Sequence, residues 1–150
     1  MLELVATATI TISSALLFTY WFRYTCLLIL STKAARDYTS AVAMANELQV
    51  LQVQAALPAA SRADLERLHQ WLERDYKVLS YLFRNAVGSH GERELEDRML
   101  GLYYRVMRIG YSASRGFSET FARKALDEMS QVVAHFANAL GERTLAGAAA

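Results

Sequence analysis

One glutamate and one histidine stand at a spacing that helical metal sites use. Glu66 and His69 form a Glu-x-x-His pattern inside a segment of helical character. Bundles of the di-iron carboxylate class need two such motifs and two further glutamates, all pointing into the core. This chain has one such motif, and its two residues flank an apolar seam instead of occupying it. We interpret the pair as part of a solvated helix face, and we keep a metal-binding bundle or bundle metalloenzyme as an alternative.

The other reactive side chains do not form a catalytic set. His135 has Val132, not an acid, three positions before it, and His90 lies in a Ser-His-Gly turn. Cys26 is the only cysteine, so no disulfide can form within the chain. The glycines fall at predicted helix ends and make no phosphate-binding loop. We therefore predict no catalytic residue, cofactor, metal ligand or small-molecule substrate.

A second group of side chains favours protein binding. It combines tyrosines and arginines, which are enriched at protein interfaces, and comprises Tyr104, Arg105, Arg108, Tyr111 and Arg115. The pattern predicts a basic, aromatic surface for a protein partner, and the alternative is a solvated face paired with nearby acids. The net charge of only +1 argues against nucleic acid binding, which needs a strong basic excess.

The N-terminal segment is apolar enough to attach the chain to a membrane. Residues 4–22 carry no charge, and an uncharged run of about 18 or more residues can cross a bilayer core as a helix. The run is too long for a secretory signal peptide, and it lacks the basic residues that precede one. We predict a retained signal anchor, with the lipid bilayer as a partner and the span near residues 3–22.

The end of the span is marked by amphipathic side chains. Trp21 and Tyr24 favour the membrane–water interface, and Arg23 can extend its head group to the phosphates. Arg23, Lys33 and Arg36 all lie on the C-terminal side of the span. Because basic residues favour the cytoplasm, we predict a single-pass protein with its N-terminus outside and its C-terminal domain cytoplasmic.

Small residues share one face of the span. Thr7, Thr11, Ser14 and Ala15 are spaced so that another membrane helix could approach closely. This face predicts association between spans, and its alternative is a set of small residues that simply face lipid.

The rest of the chain predicts four helices. With one proline and seven glycines in 150 residues, it favours long helices and few turns. The first helix would continue from the membrane to about residue 56, where Pro58 breaks it. The others would start at Ser61, Glu92 and Ser118, the second would end near Gly88, and the last would end at Gly141. The predicted apolar seams are Ala41, Met44, Leu48, Leu51 and Ala55 in the first helix; Leu65, Leu68, Leu72, Leu79, Leu82 and Ala86 in the second; Leu95, Met99, Leu102, Val106 and Ile109 in the third; and Phe121, Ala125, Met129, Val132, Phe136 and Leu140 in the fourth. Four such helices with near-heptad apolar seams predict an all-α fold, with the anchor continuing into an antiparallel four-helix bundle.

This organisation assigns residues 1–31 to the anchor and its interfacial segment, 32–141 to the bundle, and 142–150 to a disordered tail. The leading hypothesis is a membrane-tethered, non-enzymatic adaptor or accessory subunit that docks a protein partner. The alternatives are the metal-binding bundle and an oligomeric membrane component, such as a small pore or sensor, that associates as a homo-oligomer through the Thr-rich span.

Overall fold

The protein is helical throughout the part of the chain that the structure describes. This structure, a computed structural model, describes residues 1–32, 34, 36–86 and 94–149, and no strand occurs among them. The chain divides into two compact units, Met1–Lys33 and Ala34–Ala150. The predicted end of the second helix near Gly88, the predicted start of the third at Glu92, and His90 lie outside the described residues.

The first unit is one apolar helix, α1, which runs over Leu2–Ser31. Its 30 residues make it about 45 Å long at the usual rise of an α-helix. Apolar side chains surround it on all sides, and none of its most apolar stretch is buried. By length and composition it can cross a membrane, and a signal sequence near the N-terminus meets the same criterion.

The second unit is built around its last helix. Its helices are α2 (Thr39–Ala45), α3 (Val50–Ala56), a 3₁₀ turn (Leu57–Ala59), α4 (Arg62–Asn85), α5 (Glu94–Ser114) and α6 (Glu119–Ala149). Helix α6 packs against α2, α3, α4 and α5. Helix α5 runs antiparallel to α6, because Asp97 pairs with Arg143 near one end and Tyr103 bonds Glu128 further along.

Two predicted helix starts are confirmed by their caps. The Ser61 hydroxyl accepts a hydrogen bond from the Asp64 backbone N–H, and the Asp64 carboxylate accepts one from the Ser61 N–H. This capping box satisfies two donors that an isolated helix start leaves unpaired. The Ser118 hydroxyl likewise accepts from the backbone N–H of Phe121, at the start of α6.

The predicted continuous first helix is wrong, because the chain breaks it twice. Helix α1 ends at Ser31, and a second break separates α2 from α3. At the second break Glu47 adopts a φ of 53°, a left-handed conformation that ends a helix. The Asp75 carboxylate of α4 then accepts a 2.7 Å hydrogen bond from the Gln49 N–H at the start of α3. A buried acid therefore caps the new helix.

The break also changes which side chains enter the core. The predicted seam included Ala41, Met44 and Ala55, and all three are exposed. The buried residues of this region are Thr39, Ala43, Leu48, Val50, Val53 and Leu57. Because the chain restarts its helix after the left-handed Glu47, the side chains of α3 point in other directions than they would in a continuous helix. A seam predicted for one continuous helix therefore follows the wrong face of α3.

The seams of α4 and α6 follow the prediction more closely. In α4 the buried leucines are Leu65, Leu68, Leu72 and Leu79. In α6 the predicted seam is buried at Ala125, Met129, Val132, Phe136 and Leu140, whereas Phe121 is exposed. These two helices supply most of the core.

The predicted helix end at Gly141 is also wrong. Helix α6 continues to Ala149, through the residues for which we expected a disordered tail. A Cβ atom at Gly141 would clash with the Cβ of Tyr38 and would lie 3.1 Å from the Cγ2 of Val42. The absence of a side chain therefore lets the start of α2 approach α6, and the Tyr38 N–H donates to the Asn138 side chain at 2.6 Å.

Candidate docking surface

The predicted basic, aromatic surface is only partly on the surface. Tyr104 and Tyr111 are buried in the core, contrary to the prediction. The Tyr104 ring stacks on Tyr76 of α4 with centroids 3.9 Å apart, and the Tyr111 ring stacks on His69 at 4.4 Å. The two tyrosines fill the space between α4 and α5, so they are not available to a partner.

The three arginines of that predicted surface differ in their partners. Arg108 pairs with Glu73 at 2.6 Å and Arg115 pairs with Glu66 at 2.9 Å, so both connect α5 to α4. Arg105 is exposed and forms no ion pair with any described residue. Of the five predicted residues, Arg105 is therefore the one that is exposed and has no ion-pair partner among the described residues.

A different face of α5 presents a row of large apolar side chains. Leu95, Leu102, Val106 and Ile109, which we call the α5 stripe, expose between 41% and 69% of their surface. Their spacings of seven, four and three residues place them on one side of the helix. We had expected these residues to form the core seam of this helix, and the structure overturns that expectation.

The α5 stripe continues onto the start of α6. Phe121 is exposed, and its ring lies beside Gly110, whose added Cβ would be 3.9 Å from the Phe121 Cε1. Phe117, in the turn between the two helices, is exposed as well. The apolar surface therefore extends from α5 across the turn to α6.

Positive charge borders one edge of the α5 stripe. Arg98 and Arg105 are seven residues apart on the edge of α5 beside α4. Arg98 pairs with Glu94, whereas Arg105 has no acidic partner among the described residues. The arrangement is an apolar row with a basic border, which suits a helix that carries apolar residues and acids at matching positions.

Glu66 and His69 both contact α5: the Glu66 carboxylate pairs with Arg115 and stays 45% exposed, and the half-buried His69 ring stacks on Tyr111. Burial raises the pKa of Glu66, but hydrogen bonds from Arg115 and Tyr111 outweigh it and hold the pKa below its usual value. Burial lowers the pKa of His69, which favours the neutral imidazole. Burial and the neighbouring Glu66 raise the pKa of Tyr111 to about 12. No cluster of potential metal ligands occurs within the described ranges.

The predicted sites on α1 belong to the first unit. The rings of Tyr20 and Tyr24 stack with centroids 6.4 Å apart, and Trp21 meets Tyr24 edge-on at 6.3 Å, while Arg23 lies among them in sequence. Thr7, Thr11, Ser14 and Ala15 are all exposed. The Thr11 hydroxyl donates to the Thr7 carbonyl at 2.8 Å, so its proton is already used within the helix.

Two buried acids were missed by the sequence analysis. Asp75 caps α3 from inside the core, and Glu128 accepts a hydrogen bond from the Tyr103 hydroxyl. A signal was available for Asp75, because it lies three residues after Leu72 and four before Leu79 in an apolar seam. An acid at such a position needs a donor in the core.

Comparisons with protein-family models, curated proteins and solved structures found no match for this chain.

Proposed function

We propose that this chain is a membrane-tethered, non-enzymatic helical adaptor that docks a protein partner. In this proposal α1 is the membrane anchor and the α5 stripe is the docking surface. The observation that carries the proposal is a heptad-spaced apolar row that the second unit leaves exposed.

The physical argument is that this row gains free energy when it is covered. Burying apolar surface is favourable by roughly 25 cal/mol for each Å² removed from water. Exposed apolar rows at heptad spacing are typical of helix-in-groove or coiled-coil recognition. The basic border formed by Arg98 and Arg105 favours a partner helix with acidic flanks. A second copy of α5 fits less well, because it carries the same basic border.

We also propose that α2 and α3 together act as the first member of an antiparallel four-helix bundle with α4, α5 and α6. The pairwise contacts support this: Asp75 of α4 meets the start of α3, and Glu73 and Glu66 of α4 pair with α5. In this bundle α5 is an edge helix, since its close backbone neighbour is α6. An edge helix has a face to offer to a partner.

The proposed topology places the N-terminus outside and the second unit in the cytoplasm. Its support is the bias of basic residues near the span, with Arg23, Lys33 and Arg36 on the C-terminal side. The exposed aromatic side chains around Trp21 support an interfacial position for that part of α1.

The membrane part of the proposal is tested with the natural cysteine removed. In a Cys26→Ser background, Leu2→Cys and Ala146→Cys are each treated on intact cells with a maleimide that cannot cross membranes. We expect labelling at position 2, and labelling at position 146 only after permeabilisation. Release of the full chain by alkaline carbonate would contradict the anchor, and the opposite labelling pattern would reverse the topology.

The docking part is tested with two synthetic amphipathic peptides. The peptides share one leucine heptad seam and differ only in their flanks, which carry glutamate in one and lysine in the other. We expect the full chain in detergent to bind the acidic peptide several-fold more tightly, because interface charge pairs mainly set specificity. The double variant Val106→Ser with Ile109→Ser should lose this binding and keep its helical content.

The matched control is a double variant away from the stripe. Met44 on α2 and Leu145 on α6 are exposed apolar side chains outside it, so Met44→Ser with Leu145→Ser should bind the peptide like the parent. An equal loss of peptide binding in both double variants would mean that the peptide binds exposed apolar side chains non-specifically. That result would reject the α5 stripe as the docking surface. Concentration-dependent dimerisation that the stripe variant abolishes would assign the stripe to a second copy instead.

A further inference from the structure

A cleft lies between the C-terminal half of α4 and the N-terminal half of α5. It has a volume of about 730 Å³, which is within the usual range for small-ligand sites. Its aromatic walls come from Tyr76, Phe83 and Phe136, and four arginines line it: Arg84, Arg98, Arg105 and Arg143. All of these residues belong to the second unit.

The charges in the cleft do not balance. Two acids line it, and each already has a partner: Glu94 pairs with Arg98, and Asp97 pairs with Arg143. The Arg143 guanidinium also lies 4.4 Å from the centre of the Phe83 ring, which fixes its position. Arg84 and Arg105 form no ion pair with any described residue. Among the described residues, two positive charges of this concave site are therefore left without a counter-charge.

The uncharged polar groups of the cleft are donors as well. Tyr76, Ser80 and Arg84 follow one another at four-residue spacing along α4, so they share one face. Neither the Tyr76 hydroxyl nor the Ser80 hydroxyl is hydrogen-bonded to any described residue. A ligand rich in acceptor oxygens would satisfy these hydroxyls and the two free guanidinium groups together.

The two free arginines lie toward opposite ends of the cleft. A Cβ on Gly101 of α5 would lie 3.3 Å from the Tyr76 hydroxyl, so these two residues mark the same level. Arg84 lies two helical turns beyond Tyr76, toward the C-terminus of α4. Arg105 lies one turn beyond Gly101 along α5, which runs the other way. A ligand that meets both arginines therefore carries negative charge at two separated points.

We propose that this cleft binds a ligand with two or more phosphate groups. Guanidinium groups bind phosphate through paired hydrogen bonds, and they are the cations best suited to it. Phosphate also supplies the acceptor oxygens that the two hydroxyls need.

The same chemistry has two sources, a soluble polyphosphate and a bisphosphorylated lipid headgroup. The chain enters the second unit close to the cleft, because Tyr38 packs on Gly141 and Arg143 follows two residues later. The lipid source depends on the proposed function, because it requires α1 to hold the chain at a membrane. The soluble source does not depend on it.

The test measures binding of tripolyphosphate to the full chain in detergent, with inorganic phosphate as the single-phosphate comparison. Vesicles of phosphatidylcholine with and without phosphatidylinositol bisphosphate supply the lipid arm. We expect Arg84→Ala and Arg105→Ala each to weaken binding about tenfold, because each removes one charged hydrogen-bond donor to the phosphates. Inorganic phosphate should bind more weakly than tripolyphosphate, and its binding should be less affected by either variant alone.

Arg74→Ala is the matched control. Arg74 is an exposed arginine of the same helix outside the cleft, so this variant removes the same charge without touching the site. If Arg74→Ala weakened phosphate binding as much as the cleft variants do, the binding would come from non-specific charge attraction. That result would overturn the proposal. Failure of the parent to bind either tripolyphosphate or bisphosphate vesicles would overturn it as well.

The other outcomes identify the source. If the arginine variants lose binding to bisphosphate vesicles alone, the natural ligand is a lipid headgroup. If they lose binding to tripolyphosphate alone, it is a soluble polyphosphate. Arg84 lies on α4, away from the α5 stripe, so its variant should leave binding of the acidic peptide unchanged. Failure of the cleft and failure of the adaptor proposal can therefore be told apart.

Discussion

Helices α4 and α5 carry the same kind of sequence pattern but use it in opposite ways. Each has a heptad-spaced row of large apolar residues. In α4 the row lies in the core, with Leu68 and Leu72 almost fully buried. In α5 the row is exposed, and the core side is formed by Tyr103, Tyr104 and Tyr111. Periodicity indicates an apolar face, but it does not show whether that face enters the core.

The difference has a physical cause in the size of the side chains between the helices. The stacked pairs Tyr76–Tyr104 and His69–Tyr111 fill the space between α4 and α5. Tyrosine buries a large ring while its hydroxyl can bond a nearby acid, as Tyr111 bonds Glu66 at 3.2 Å. The tyrosines can therefore make the core side of α5 and leave the aliphatic row free for another surface.

The largest expected effect on stability distinguishes the buried leucine row of α4 from the exposed α5 stripe. Leu72→Ala in α4 should lower the free energy of unfolding by about 2–5 kcal/mol, because it leaves a cavity in a packed core. Leu102→Ala in the α5 stripe should change it by no more than about 0.5 kcal/mol, as for other surface substitutions. Urea unfolding of the full chain in one detergent measures both.

The chain has two tryptophans, so the signal can be assigned. A Trp21→Phe background leaves Trp71 of α4 as the sole reporter, and it follows the second unit without interference from α1. Equal losses for the two leucines would show that the α5 stripe is covered by the protein itself. The proposed docking surface would then not exist.

A smaller effect compares two neighbouring tyrosines on the core side of α5. The Tyr103 hydroxyl donates to the buried Glu128 carboxylate, whereas the Tyr104 hydroxyl has no hydrogen-bond partner among the described residues. Tyr103→Phe should therefore cost about 1–3 kcal/mol of stability, the usual range when one partner of a buried hydrogen bond is removed. Tyr104→Phe should be neutral or slightly stabilising.

The same urea titration distinguishes the two variants, and each conserves the ring that packs in the core. A loss at Tyr104 as large as that at Tyr103 would mean that both hydroxyls are bonded. In that case the core side of α5 would be held by a network of hydrogen bonds, whereas the core side of α4 is held by packed leucines.

Sequence reasoning was sufficient where local chemistry decides the outcome. The all-helical character, the apolar α1, and the helix starts at Ser61 and Ser118 follow from composition and capping residues. The leucine seam of α4 follows from spacing alone. These features need no knowledge of what lies across the core.

The remainder depends on contacts between residues far apart in the sequence. The break before α3 is capped by Asp75, which lies 26 residues after Gln49, and the role of Gly141 depends on Tyr38. The arginine-lined cleft likewise forms only when α4 and α5 lie side by side. A window of sequence around any one of these residues does not contain its partner.

The last prediction concerns the one acid within the leucine seam of α4. Burial raises the pKa of Asp75 above its ordinary value, although hydrogen bonds from the backbone of Gln49 and Val50 act in the opposite direction. An acid with a raised pKa in the folded state holds its proton more tightly there than in the unfolded chain. The folded state therefore gains stability as pH falls through the raised pKa, and loses it as pH rises.

Asp75→Asn removes this titration and keeps an oxygen that can accept from the Gln49 N–H. Relative to this variant, the parent should become less stable as pH rises from the ordinary aspartate value of about 3.9 through the raised pKa. Asp75→Ala should follow the pH dependence of Asp75→Asn with a further constant loss, because it leaves the Gln49 N–H without an acceptor. All three proteins keep His69, so its titration cancels in the differences. Parallel curves for the parent and Asp75→Asn would show that the carboxylate is well solvated, and the seam of α4 would then be open to water at this point, as the α5 stripe is.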